Sequence, residues 1–189
     1  FVTEDYGGTW ARITEGLPES PINAVLEDPA NADLLYAGND RGVYSSSDGG
    51  DHWERWTSPD WDKDVYPDGL VLRPSQPELM FLAAAQHNPA TWRNSRTSGT
   101  RVFRSTDAGR TWEVLRHGLP DPMRQEVGAL CLEDCGDSFT LFAGTTDGEV
   151  YSSEDGGTHW SLILEGLAPI SKKGHYQFIT KAQQPAQVR

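Results

Sequence analysis

Cysteine is nearly missing from this chain: only Cys131 and Cys135 occur in 189 residues. A metal site needs more ligands than this pair supplies. Cys131 alternates with apolar neighbours in Val127-Gly128-Ala129-Leu130-Cys131-Leu132, which predicts a buried strand position, and Cys135 falls in the turn Glu133-Asp134-Cys135-Gly136-Asp137. Long apolar runs are also missing, so no stretch approaches the length that spans a bilayer. Basic clusters are absent: 16 Lys and Arg stand against 28 Asp and Glu, for a net charge of −12 and a pI near 4.7. Such a chain is repelled by phosphate backbones and anionic lipids, which excludes nucleic acid as a partner. No Gly-x-Ser-x-Gly elbow, phosphate-cradling glycine loop or His-Glu-x-x-His pair occurs, and no signal-peptide pattern is visible.

What the chain does have is a repeat. Ser105-Thr106-Asp107-Ala108-Gly109-Arg110-Thr111-Trp112 follows the pattern Ser/Thr-x-Asp-x-Gly-x-x-Trp. The same pattern runs from Thr3 to Trp10, from Ser46 to Trp53 and from Ser153 to Trp160. Its parts describe a self-supporting turn between two strands. Asp and Ser or Thr at fixed offsets accept from nearby backbone N–H groups. Gly7, Gly50, Gly109 and Gly157 tolerate a positive φ or a close approach. Trp10, Trp53, Trp112 and Trp160 start the next strand and anchor its buried face.

Four copies of this clip resemble the Asp-box, or BNR, repeat of β-propeller proteins. That group includes sialidases, xyloglucanase-type glycoside hydrolases, sortilin-type receptors and photosystem II assembly factors. The resemblance covers roughly residues 1 to 165 and implies an all-β fold: propeller blades of four antiparallel strands, with the box turning between strands three and four. It also implies that the boxes lie on the face away from any active site. Asp5, Asp48, Asp107 and Asp155 are therefore read as structural, and no catalytic residue and no cofactor are assigned.

Short β-branched and aromatic runs between Gly, Pro, Asn and Asp give the blades. Residues 1–14 read as the end of a blade, with a strand from Trp10 to Ile13. The first full blade is 15–57, with strands Ile22–Glu27, Leu34–Ala37, Val43–Ser46 and Trp53–Thr57. The second is 58–116, with strands Gly69–Leu72, Leu79–Ala85, Val102–Arg104 and Trp112–Leu115. The third is 117–165, with strands Val127–Leu132, Thr140–Ala143, Glu149–Ser152 and Trp160–Leu164. The tail, 166–189, offers one strand, His175–Thr180. Three blades and part of another make a partial propeller, since closed rings use four to eight. The chain opens at Phe1 inside a repeat, so the expectation is that further blades lie upstream. Closure as a four-bladed ring, with the tail strand joining the first segment, is the alternative.

Two insertions lengthen the second blade: Ser58–Asp68 before its first strand, and Gln86–Thr100 between strands two and three. In a four-stranded blade both fall on the face opposite the boxes, together with the blade-to-blade links and Gly174-His175-Tyr176. Long loops in a compact repeat commonly carry function. The candidate ligand-binding residues are therefore Trp61, Asp62, Asp64, Tyr66, Asp68, His87, Trp92, Arg93, Arg96 and His175. Aromatic faces can stack on sugar rings, and Arg and carboxylate groups can bond hydroxyls. Asp60, Asp62 and Asp64 alternate as Ca²⁺ ligands could, but Val65 and Val71 stand where an EF-hand needs Gly and Glu, so no metal is assigned.

Two functions remain. A non-catalytic binding or scaffold propeller would recognise a protein or glycan on its long-loop face. A glycoside hydrolase of sialidase or xyloglucanase type would need two carboxylates across the scissile bond, and Asp40, Asp62, Asp64 and Asp68 qualify by location alone. The Arg-Ile-Pro segment implied for a sialidase is not in this chain. The sequence favours the binding module.

Overall fold

The computed structural model describes residues 1–56, 66–86 and 88–171. Among them, twelve strands form three four-stranded antiparallel sheets, each ordered as in the sequence. The first blade holds β1 (Ile22–Asp28), β2 (Asn31–Asn39), β3 (Gly42–Ser46) and β4 (Glu54–Arg55). The second holds β5 (Tyr66–Arg73), β6 (Gln76–Ala85), β7 (Arg101–Ser105) and β8 (Glu113–Leu115). The third holds β9 (Val127–Asp134), β10 (Phe139–Thr145), β11 (Val150–Ser153) and β12 (Ser161–Leu164). The innermost strands β1, β5 and β9 pack side by side, as blades about an axis do. The fold is a partial β-propeller.

Side chains alternate between the two faces of each blade, and each interior face is shared with a neighbour. Tyr36, Met80, Leu82 and Trp112 lie in the core between blades one and two; Phe81, Leu141, Tyr151 and Trp160 lie in the core between blades two and three. This sharing explains a correction. Cys131 was expected to be buried but is exposed. It pairs with Phe142 as Leu26 pairs with Tyr36 and Val71 with Phe81. Those partners sit on the face that meets the next blade, and on the third blade no sheet among the described residues covers that face.

The boxes close through their own short-range bonds. In the second box Ser46 Oγ donates to Asp48 Oδ1 (2.7 Å), Gly50 N–H donates to Ser46 Oγ (2.9 Å) and His52 N–H donates to Asp48 Oδ1 (2.9 Å). Each of the other boxes repeats these three bonds with its own residues. Trp53, Trp112 and Trp160 are buried, but they precede β4, β8 and β12 rather than starting them. Trp10 departs from expectation more sharply. It is 61% exposed, and the strand expected at Trp10–Ile13 is reduced to a single bridge, Val2 with Ala11, because no sheet among the described residues backs this hairpin.

The box carboxylates titrate with the fold. Donation from the Thr9 backbone holds Asp5 at about 2, and donation from the His52 and His159 backbones does the same for Asp48 and Asp155. A carboxyl depressed in the folded state stabilises above its unfolded value, here 3.8, and that contribution is lost as pH falls toward 2. His52 has the opposite sign. Its ring Nδ1 sits 2.7 Å from Asp48 Oδ2, and that bond raises its pKa from 6.5. Its contribution is complete below 6.5 and fades as pH rises through the raised value. His52→Thr copies the first and third boxes, where Thr9 and Thr111 fill this place. Thermal melting against pH should show the variant losing the near-neutral part of the profile while keeping the acid limb. An unchanged near-neutral profile would rule out this role for His52.

Candidate functional site

The turns joining β2 to β3 and β10 to β11, the insertion between β6 and β7, and the blade-to-blade links all gather at the end of the sheets opposite the boxes. The two seams between blades look different there. The seam between blades two and three is closed. Arg101 and Arg116 both bond Asp121, at 2.9 and 2.6 Å, and Arg124 pairs with Asp147. Gln125 Nε2 donates to Glu149 Oε2 at 2.6 Å, and buried Ser98 donates to the Gln125 carbonyl at 2.8 Å. Donation from Arg101 and then Arg116 holds the Asp121 carboxyl below the usual range.

Between blades one and two no such ion pairs are found among the described residues. Glu19, Ser20 and Pro21 from the link, Asp40 and Arg41 from the β2–β3 turn, and Asn88 and Thr91 from the insertion line a groove of about 510 Å³. Asp40 Oδ1 accepts from the Asn23 amide at 3.1 Å, and Asn39 Oδ1 accepts from the Arg41 backbone at 2.8 Å, which fixes the turn. The groove therefore offers two carboxylates, one guanidinium and several hydroxyl and amide groups on backbone that is held in place. A second groove, of about 380 Å³, follows the inner strands past Ala24, Gly69 and Leu130.

The insertion expected as a loop contains a short helix, α1 (Pro89–Ser95). Asn88 caps it by accepting from Ala90 N–H at 2.8 Å, Pro89 opens it, and Arg96 ends it in the left-handed region at φ 57°. The helix changes the reading of Trp92. Its indole was a candidate sugar platform, but it is 0% exposed and meets Tyr66 edge to face at 6.1 Å. It pins the insertion to the start of β5 and has no face open to a ligand. Tyr66 is likewise buried, and burial with the charges of Asp68, Asp40 and Glu126 pushes its phenol up. Asp68 is only 3% exposed.

Of the remaining candidates, Arg93 and Arg96 are exposed on α1 and at its cap. Trp61, Asp62, Asp64, His87 and His175 lie outside the described residues, as does the strand expected at His175–Thr180. Among the described residues no three His, Cys, Asp or Glu side chains group to hold a metal. The sequence reading missed Glu19, Ser20, Arg41, Asn88 and Thr91. Each lies in a link or a strand-two-to-three connection, so the loop-alternation argument pointed to their face without naming them.

Comparison with solved structures gives the same fold. An ancestral GH74 enzyme superposes with a TM-score of 0.62 at 18% identity, over 79% of this chain and 19% of the other. The GH74 xyloglucanase of Xanthomonas campestris gives 0.56 at 18%, over 76% and 21%. YCF48 bound to D1 peptide gives 0.57 at 14%, over 81% and 42%. The chain thus spans less than half the length of each of these structures. No curated protein matches it. Residues 1–127 match the Sortilin-Vps10 family, described as Sortilin, neurotensin receptor 3. By that match over two thirds of its length, the chain belongs to the Sortilin-Vps10 family of β-propellers.

Proposed function

We propose that this chain is a non-catalytic recognition module that binds a protein segment or a glycan in the groove between blades one and two. The supporting observation is the groove itself: three separate segments bring Glu19, Asp40, Arg41, Asn88 and Thr91 to one concave seam, whereas the neighbouring seam is sealed by ion pairs. Convergent polar groups on rigid backbone suit an extended, hydrogen-bonding ligand. That YCF48 is seen with a peptide supports a peptide as one such ligand. A glycosidase would need two carboxylates facing one cleft; of those nominated for that role Asp68 is buried, while Asp40 lines the groove with Glu19 and has its Oδ1 engaged by the Asn23 amide, which is why the test below includes glycan turnover.

The test is a screen of peptide and glycan arrays, followed by the double variant Asp40→Ala, Arg41→Ala. Both side chains lie in the turn, so the blades should stay folded. Affinity for any ligand found should fall at least about tenfold. Undiminished affinity would place the binding site elsewhere. Glycan turnover lost on Asp40→Asn would instead establish the hydrolase.

A further inference from the structure

The four boxes fall into two kinds at the residue just before the tryptophan. It is Thr9 and Thr111 in the first and third boxes, and His52 and His159 in the second and fourth. Either type reaches back to the box carboxylate. Thr9 Oγ1 and Thr111 Oγ1 donate to Asp5 and Asp107, and His52 Nδ1 and His159 Nδ1 meet Asp48 and Asp155, all at 2.6–2.8 Å. Threonine therefore suffices to close the turn. Histidine adds a second ring nitrogen. Because Nδ1 of His159 faces a carboxylate, the neutral ring carries its proton there and keeps the lone pair on Nε2.

What stands beside that ring differs between the two histidine boxes. Trp53 N–H donates to the Glu15 carbonyl and Trp160 N–H to the His117 carbonyl, both at 2.9 Å. Gly16 and Gly118 follow, and each presses on the carbonyl of the same tryptophan. The backbone is thus alike at both places, while the side chains are not. His52 Nε2 lies 3.9 Å from Glu15 Oε2. His159 instead has a second imidazole for a neighbour: the ring centres of His117 and His159 are 5.7 Å apart, with the planes inclined by 42°. Both residues are exposed. Two imidazoles that share one ion through bonds of about 2.0–2.1 Å have their centres about 5–6 Å apart.

We propose that His117 and His159 bind a divalent transition-metal ion of the zinc or copper type, each through one imidazole nitrogen, with water completing the shell. Imidazole suits these ions, and Mg²⁺ and Ca²⁺ prefer oxygen. Asp155 serves the ion through His159, since a carboxylate on the far nitrogen fixes the ring and raises its basicity. Both rings stand on backbone already held by the Trp160 bond and the Gly118 contact, so little ordering is left for the ion to impose. Arg104 brings a positive charge to this box through Gly156 and Thr158, but Glu113 pairs with it at 2.8 Å. Two protein ligands are fewer than a resident structural or catalytic metal uses, so the ion is an exchangeable one. It ties the link to the box and should stabilise the third blade when bound. No residue of the groove takes part.

The experiment is calorimetric titration of the whole chain with Zn²⁺ in excess Mg²⁺, which occupies carboxylates and leaves imidazoles open. The wild type should bind one Zn²⁺ and melt at a higher temperature with it. His159→Thr copies the first and third boxes, and His117→Asn keeps the carbonyl that Trp160 uses, so both variants should fold, as melts without metal check. Each should weaken binding at least about tenfold. His52→Thr should leave binding unchanged, because its neighbour is Glu15. Glu15→His rebuilds the pair beside His52 and should raise the stoichiometry from one ion to two. A wild type that binds no Zn²⁺, a His117 or His159 variant that binds as the wild type does, or a Glu15→His chain that still takes one ion would each overturn the proposal.

Discussion

Gly118→Ala should unfold or nearly unfold the region around the third blade, at a cost of at least about 3 kcal/mol. Two effects add. Gly118 has φ +85°, a left-handed conformation that costs an alanine roughly 1–2 kcal/mol. Its Cβ would also lie 1.9 Å from the Trp160 carbonyl oxygen, which is backbone and cannot swing aside. Relief requires the link to lift off the box, which breaks the Trp160 N–H bond to His117 and withdraws Leu119 from the core. Gly166→Ala provides the control. It has φ +76° in the same link sequence but open space around it, so only the conformational cost of about 1 kcal/mol should appear. Urea titration of both variants under dilute conditions checks this, since the midpoint shift at constant slope reports the loss. Equal shifts for the two glycines would refute the close packing of Gly118 against the Trp160 carbonyl.

Trp112→Ala should cost about 3–5 kcal/mol, as expected for truncating a buried indole. Trp112 lies in the core between blades one and two, its ring 5.4 Å from Trp56, which in turn lies 5.2 Å from Tyr36. Its Nε1–H donates to the Gly109 carbonyl at 2.9 Å, tying the ring to its own box. Truncation therefore opens a cavity between two sheets and loosens the turn. Trp10→Ala removes the same motif residue from a solvent-facing position and should shift dilute-solution stability by no more than about 0.5 kcal/mol. Matching losses at Trp10 and Trp112 in thermal or urea melts would mean that the motif, rather than its neighbours, sets the cost.

These paired predictions separate local from non-local information. The box is legible in eight residues because the side-chain bonds that shape its turn lie within them, from Ser46 Oγ on Asp48 to Gly50 N–H on Ser46. Strand order was legible because each antiparallel sheet pairs only sequence neighbours, so short apolar runs between turn residues suffice. The helix in the insertion was less so. Asn88-Pro89 is a helix opening, but the segment has only seven residues and one buried side chain, too few for an apolar period to emerge.

The site was legible only as a face. Alternation of loops put the links and the long insertion at one end of the blades, and the groove lies there. Which residues line it depends on how links and turns pair across a seam, as Arg101 does with Asp121 and Arg124 with Asp147, and those partners are 20 and 23 residues apart. Burial was equally non-local. Trp92, Trp10 and Cys131 have the sequence surroundings of a loop aromatic, an anchoring indole and a core thiol, and the structure reverses all three.

The sequence by itself determined the repeating unit, its clip and its strand order, because hydrogen bonds and steric limits within a few residues decide them. Tertiary structure alone decided which face of each blade is covered and which side chains gather at the groove. A side chain is buried by what packs against it, and in a ring of repeats that neighbour comes from a different repeat about fifty residues away.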